Sequence, residues 1–222
     1  DGFIQDRYNG RITCFRHLRL SHAPVLPEGE QSEYERVSHL QDMDGTLYFI
    51  ALIPGSDLRD RVRIVKERMK VLYNAGHALK SPAHITLQMP FKRYSSDEPG
   101  MTEAFRKFAA EEYPFEVSLD GFGAFVPRVI YINITEPGPV RELHSRLKTM
   151  LISELGFSPA EVMKDVQPHI TVATRDLTKT AFSEAWPEIR NEEFKGAFLA
   201  GSIFLLKHNG KCWDIFREFK FR

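Results

Sequence analysis

The chain contains the same three-residue opening twice, His84-Ile85-Thr86 and His169-Ile170-Thr171, and each copy ends a similar run of strand, turn, helix and loop signals. The first run is an apolar strand from Leu47 to Ile53, a turn at Pro54-Gly55-Ser56-Asp57, and a helix with apolar residues at Leu58, Val62, Val65, Met69 and Leu72. The second is a strand from Val129 to Ile134, a turn at Glu136-Pro137-Gly138-Pro139, and a helix with Val140, Leu143, Leu147 and Leu151. Ile53 precedes His84 by 31 positions and Ile134 precedes His169 by 35, so the two units are nearly equal in length. One supersecondary unit used twice predicts two lobes related by pseudo-symmetry.

The remaining signals fill in the lobes. A helix is expected around Met101 to Ala110 and a strand around Phe115 to Leu119. After the second motif come a short helix from Thr178 to Trp186, strands around Phe198 and from Ile203 to Lys207, and a two-residue hairpin turn at Asn209-Gly210 leading into a strand from Cys212 to Phe216. Strands and helices mix without sustained βα alternation. The expectation is therefore an α+β fold: two pseudo-symmetric lobes with mainly antiparallel sheets, flanked by helices, around a central cleft. Residues 1–45 are rich in Arg, His, Glu, Gln and Pro without a sustained period of 2 or 3.6, which predicts an irregular or partly disordered extension before a bilobal domain at 46–222.

The duplicated motif is also the chemical signal. On a strand, side chains alternate between faces, so each imidazole shares a face with the hydroxyl two residues on, while Ile85, Leu87, Ile170 and Val172 point into the core. The other six histidines (His17, His22, His39, His77, His144 and His208) have no Ser or Thr two residues later. Two imidazoles facing each other across a cleft suit general acid–base catalysis near neutral pH, where one takes a proton and the other gives one. Hydroxyls of Thr86 and Thr171 would donate to a group carrying negative oxygens between them. A phosphodiester has that form, because displacement at phosphorus is in line and its charge sits on non-bridging oxygens.

Other classes fit the sequence less well. Lys plus Arg equals Asp plus Glu at 30 each, so no global positive field draws the chain to nucleic acid or an anionic membrane. Neither motif has the i, i+4 histidine partner or the carboxylate and thiolate companions of a zinc site, and no Gly-x-Ser-x-Gly elbow is present. No metal or other cofactor is expected. Cys14 and Cys212 match no zinc or redox spacing, which suggests a reducing compartment. With no long apolar run and no secretory h-region in the first residues, a cytoplasmic, membrane-free monomer is expected.

Paired His-x-Thr motifs on a duplicated strand–helix–strand unit resemble the two-histidine (2H) phosphoesterase superfamily, near its 2′-5′ RNA ligase and cyclic phosphodiesterase branch. The likeness covers roughly residues 46 to 222. The family's motifs map onto His84 and Thr86 and onto His169 and Thr171. Gly123-Ala124-Phe125-Val126-Pro127-Arg128 resembles its common Gly-x-Phe-x-x-Pro-Arg stretch. The resemblance implies a bilobal α+β fold and metal-free hydrolysis or formation of RNA-type phosphoesters, often 2′,3′-cyclic ones.

The expected activity is hydrolysis of a 2′,3′-cyclic phosphate on a nucleotide or RNA end, with His169 taking a proton from water and His84 protonating the departing ribose oxygen. A 5′-hydroxyl in place of water would give a 2′-5′ ligase direction. Candidate substrate-binding residues are Phe125 and Arg128, to stack a base and hold a phosphate, together with Arg175, Lys92 and Arg93 as phosphate neutralisers. Arg175 lies six positions after His169 and would share its face if the strand ran that far. The alternative from another class is a nucleotide- or RNA-binding scaffold with little catalysis.

Overall fold

A computed structural model describes residues 45–222; the extension expected over residues 1–45 lies, but for Gly45, outside the described residues. Among these residues eight strands form two four-stranded sheets. In chain order the elements are β1 (Thr46–Leu52), α1 (Ser56–Tyr73), β2 (Ile85–Arg93), α2 (Glu98–Glu111), β3 (Phe115–Phe125), β4 (Val129–Ile134), α3 (Gly138–Ser153), β5 (His169–Ala173), α4 (Lys179–Ile189), β6 (Lys195–Ala200), β7 (Ser202–His208) and β8 (Trp213–Lys220). Short 3₁₀ turns at His77–Lys80 and Ser95–Asp97 join α1 to β2 and β2 to α2.

One sheet has the order β2-β1-β7-β8 and the other β5-β4-β3-β6, with every pairing antiparallel. The orders correspond strand for strand: each histidine motif lies on an edge strand, beside the strand that opened its own unit. This is the predicted α+β architecture of two similar lobes. The edge strands β2 and β5 approach each other, which brings the two motifs together.

Local chemistry explains the elements. Pro54 and Gly55 end β1, and α1 then buries Leu58, Val62 and Met69 along one stripe, with Asp57 favourably placed in its first turn. Asn74, in the left-handed region at φ 52°, stops the helix. Ile85, Leu87, Ile170 and Val172 are fully buried in one core that runs through both lobes, as the alternation requires. β3 runs past the expected Leu119 to Phe125. Gly121 at φ +64° forms a bulge that lets the strand continue: its N–H donates to the Phe194 carbonyl, and pairing with β4 resumes at Phe122. The last hairpin also differs from expectation. Residues 209–212 form a four-residue connection closed by the pair His208 and Trp213, and the Asn209 side chain accepts from the N–H groups of Lys211 and Cys212. No helix among the described residues is long and apolar enough to cross a membrane.

Candidate active site

Both motifs line one cleft of about 360 Å³ between the lobes. Its walls hold His84, Thr86, His169 and Thr171 together, along with Phe125 and Arg175 from the sequence expectation. Among the described residues its lining also includes Lys80 and His77 but no carboxylate, so the local charge favours an anion although the whole chain is neutral.

The two imidazoles are held in the same way. His84 Nδ1 donates to the Pro82 carbonyl at 2.8 Å, and His169 Nδ1 donates to the Gln167 carbonyl at 2.7 Å. A carbonyl can only accept, so Nδ1 carries the hydrogen in each ring and Nε2 is the atom left for the cleft. Each ring also packs against an aromatic side chain three residues before the end of its neighbouring strand. Phe49 of β1 lies 4.9 Å from the His84 ring, and Tyr131 of β4 lies 4.9 Å from the His169 ring. The backbone register slips beside both aromatics, a distortion that aims side chains next to functional positions. Among the described residues neither threonine hydroxyl has a protein hydrogen-bond partner, which leaves both able to donate to a ligand.

The environments of the two histidines are not equal. Burial lowers the pKa of both below the usual imidazole value. His84 is pushed down to about 4, first by burial, then by the nearby Lys66 ammonium, with a smaller contribution from His169. Its hydrogen bond to Pro82 opposes that shift.

The proposed substrate-binding residues separate into two groups. Phe125 forms part of the wall, edge-on to His169 at 5.1 Å and tilted against Tyr131 at 4.6 Å. Arg175 lines the cleft by a route other than the expected one. β5 ends at Ala173, and Arg175 sits beyond it in a left-handed turn at φ 55°, a conformation that crowding of Cβ against the backbone makes uncommon for residues other than glycine. Arg128, Lys92 and Arg93 do not line the cleft. Arg93 is engaged elsewhere, its guanidinium 4.0 Å from the Phe157 ring and 3.3 Å from Glu161. Arg128 is exposed beside the β3–β4 turn, and Lys92 is exposed on β2.

Several site residues carried no motif signal. Phe49 and Trp213 stack edge to face at 4.7 Å and form an aromatic wall on the His84 side. Gln88 is 2% exposed, and its amide donates to the Glu161 carbonyl and accepts from Met163 N–H, holding the segment that leads to Gln167. Gly123 lets Tyr131 reach His169, since a Cβ there would meet the Tyr131 ring and Asn133 Oδ1 at 2.5 Å. The glycine of the Gly-x-Phe-x-x-Pro-Arg stretch thus has a packing reason.

Comparison with known proteins places the fold and the family. A protein from Oceanobacillus iheyensis named "Putative phosphoesterase OB1230" is 25% identical over 175 residues, which span 78% of this chain and 96% of that protein. The crystal structure of TT0787 from Thermus thermophilus superposes with a TM-score of 0.60 at 20% identity, covering 79% of this chain and 98% of that one. LigT from E. coli, crystallised with 3′-AMP, gives 0.58 at 15% identity over 80% of this chain and 98% of its own; at these identities the likeness is one of fold. The family model described as the 2′-5′ RNA ligase superfamily matches residues 56–211, a span that includes both histidine motifs, and the chain belongs to that superfamily.

Proposed function

We propose that the protein is a metal-independent phosphodiesterase that opens 2′,3′-cyclic phosphates on nucleotides or RNA ends by histidine acid–base catalysis. The observation that carries this reading is the matched pair: two imidazoles, each fixed through Nδ1 to a carbonyl two residues upstream, share one cleft that among the described residues has no carboxylate in its lining and holds two threonine hydroxyls without a hydrogen-bond partner. Water attacks phosphorus as one imidazole takes its proton; the P–O bond to the ribose breaks on the opposite side, and the other imidazole protonates the departing oxygen. Thr86 and Thr171 hold the non-bridging oxygens, and Arg175 and Lys80 supply countercharge. Phe125 and the Phe49–Trp213 wall offer faces for a base. By microscopic reversibility, a 5′-hydroxyl in place of water forms a 2′-5′ linkage in the same site.

Incubation with the four nucleoside 2′,3′-cyclic phosphates, with and without EDTA, tests the reading directly. Ring opening to a 2′-phosphate that survives chelation is expected. Loss of turnover on chelation would overturn the metal-free mechanism, and micromolar nucleotide binding with no turnover of any cyclic phosphate would establish a binding module instead.

A further inference from the structure

Lys66 of α1 is 3% exposed, yet among the described residues it has no carboxylate partner. Its ammonium donates to three backbone carbonyls of the segment entering β2: Ala78 at 2.9 Å, Ser81 at 3.1 Å and Pro82 at 3.4 Å. The Pro82 carbonyl is the same oxygen that accepts from His84 Nδ1. One acceptor therefore joins a buried cation to one histidine of the pair.

The second lobe contains a weaker version of this device. Lys148 stands ten residues into α3, as Lys66 stands ten residues into α1, and it too donates to a carbonyl of the segment entering its histidine strand, Lys164 at 3.2 Å. That contact is exposed, lies five residues before His169 and does not touch the Gln167 carbonyl that fixes the ring. A symmetric arrangement has become asymmetric: a buried cation behind one imidazole, a solvated one at a distance from the other.

We propose that Lys66 is a positioning residue that keeps His84 the neutral member of the pair, so that His84 takes the proton from the attacking group and His169 gives one to the departing oxygen. This rests on the phosphodiesterase reading and reverses the assignment expected from sequence. By holding the Pro82 carbonyl, Lys66 fixes the Nδ1–H tautomer and turns the Nε2 lone pair to the cleft. Its charge, close behind the ring, opposes a second positive charge on His84. Among the described residues, the charged groups acting on His84 are Lys66 on α1 and His169 on β5, and the same cleft is lined by His77 and Lys80 of the 3₁₀ turn and Arg175 beyond β5; none of these is a carboxylate that would favour imidazolium, and the Asp176 carboxylate next to Arg175 accepts from the His77 backbone N–H. Burial lowers Lys66 itself only to about 8, so it remains an ammonium at neutral pH. An anionic phosphodiester entering the cleft supplies the missing countercharge and raises the basicity of His84 at the moment it is needed.

The test is a titration of the histidine imidazoles by NMR in the wild-type protein, with resonances assigned from H84A and H169A. His84 is expected to titrate well below His169; equal midpoints or the reverse order would overturn the proposal without any variant having to fold. In K66M the His84 midpoint should move up, in K66R it should stay low, and in K148M neither histidine should move. A His84 midpoint unchanged in a folded K66M would also overturn it. Kinetics give an independent readout with a nucleoside 2′,3′-cyclic phosphate. Residual turnover of H84A should fall as pH rises, because only the proton donor is left, and that of H169A should rise; opposite slopes would restore the sequence-based assignment. Failure of the wild type to turn over any cyclic phosphate would sink the phosphodiesterase reading while leaving the titration order to stand or fall alone.

Discussion

Each catalytic candidate makes its own contribution to the barrier, and single substitutions should separate them. His84→Ala and His169→Ala are expected to lower turnover by about 10²–10⁴ with the fold retained, the usual range for a general acid or base. Thr86→Val and Thr171→Val should cost on the order of 1.5–4 kcal/mol in transition-state stabilisation, while Thr→Ser at either position should be milder because the hydroxyl does the binding. Steady-state kinetics check both; equal damage from Ser and Val would assign the threonines to packing. Gly123 gives a subtler case. Gly123→Ala places a methyl group against the Tyr131 ring, and that overpacking should cost about 1–3 kcal/mol of stability. It should also shift the ring that supports His169, so turnover should fall in the fraction that remains folded. Unchanged melting temperature and turnover would show that the ring yields freely.

The elements position these residues through polar ties as much as through the core. Gln88 on β2 clamps the Glu161–Met163 segment of the other lobe through both ends of its amide. Gln88→Ala leaves a carbonyl and an N–H without their partner, which should cost about 1–3 kcal/mol in a denaturant titration. It should raise KM more than it lowers kcat, because Met163, Val166 and Gln167 line the cleft. The sequence made the duplicated unit legible because apolar alternation and helical stripes are local patterns, and Ile85, Leu87, Ile170 and Val172 are buried as alternation demands. Gln88 was not legible, since a buried glutamine in a strand has the same appearance as an exposed one until its partner 73 residues away is known. Lys66 was hidden for the same reason, a lysine on the otherwise apolar stripe of α1. Asn209-Gly210 was misread because a glycine with positive φ serves a longer connection as readily as a two-residue turn. Arg175 was predicted for the cleft on the premise of a longer strand, and it reaches the cleft from a turn instead.

For the molecule as a whole, the described residues of the duplicated lobes share one hydrophobic core. We propose that a chain beginning at Met43 folds and turns over at the wild-type rate; insolubility or inactivity would show that earlier residues belong to the core or to the cleft. The buried ammonium of Lys66 carries a thermodynamic signature of its own. Its pKa falls from 10.5 to about 8 on folding, so below pH 8 both folded and unfolded chains hold the proton and the native state bears the whole cost of burying it, about 3 kcal/mol by linkage. As pH rises from about 8 towards 10.5 the native state releases the proton first, and that cost is progressively removed. Denaturant titrations across this window should show the wild type gaining stability relative to K66M, whose slope lacks the contribution; parallel slopes would mean that Lys66 is not perturbed. Over the same window the discharged lysine stops opposing charge on His84. Alkaline conditions should therefore strengthen the fold through this residue while removing its charge from behind His84, a direct antagonism between stability and catalytic polarity located in one side chain.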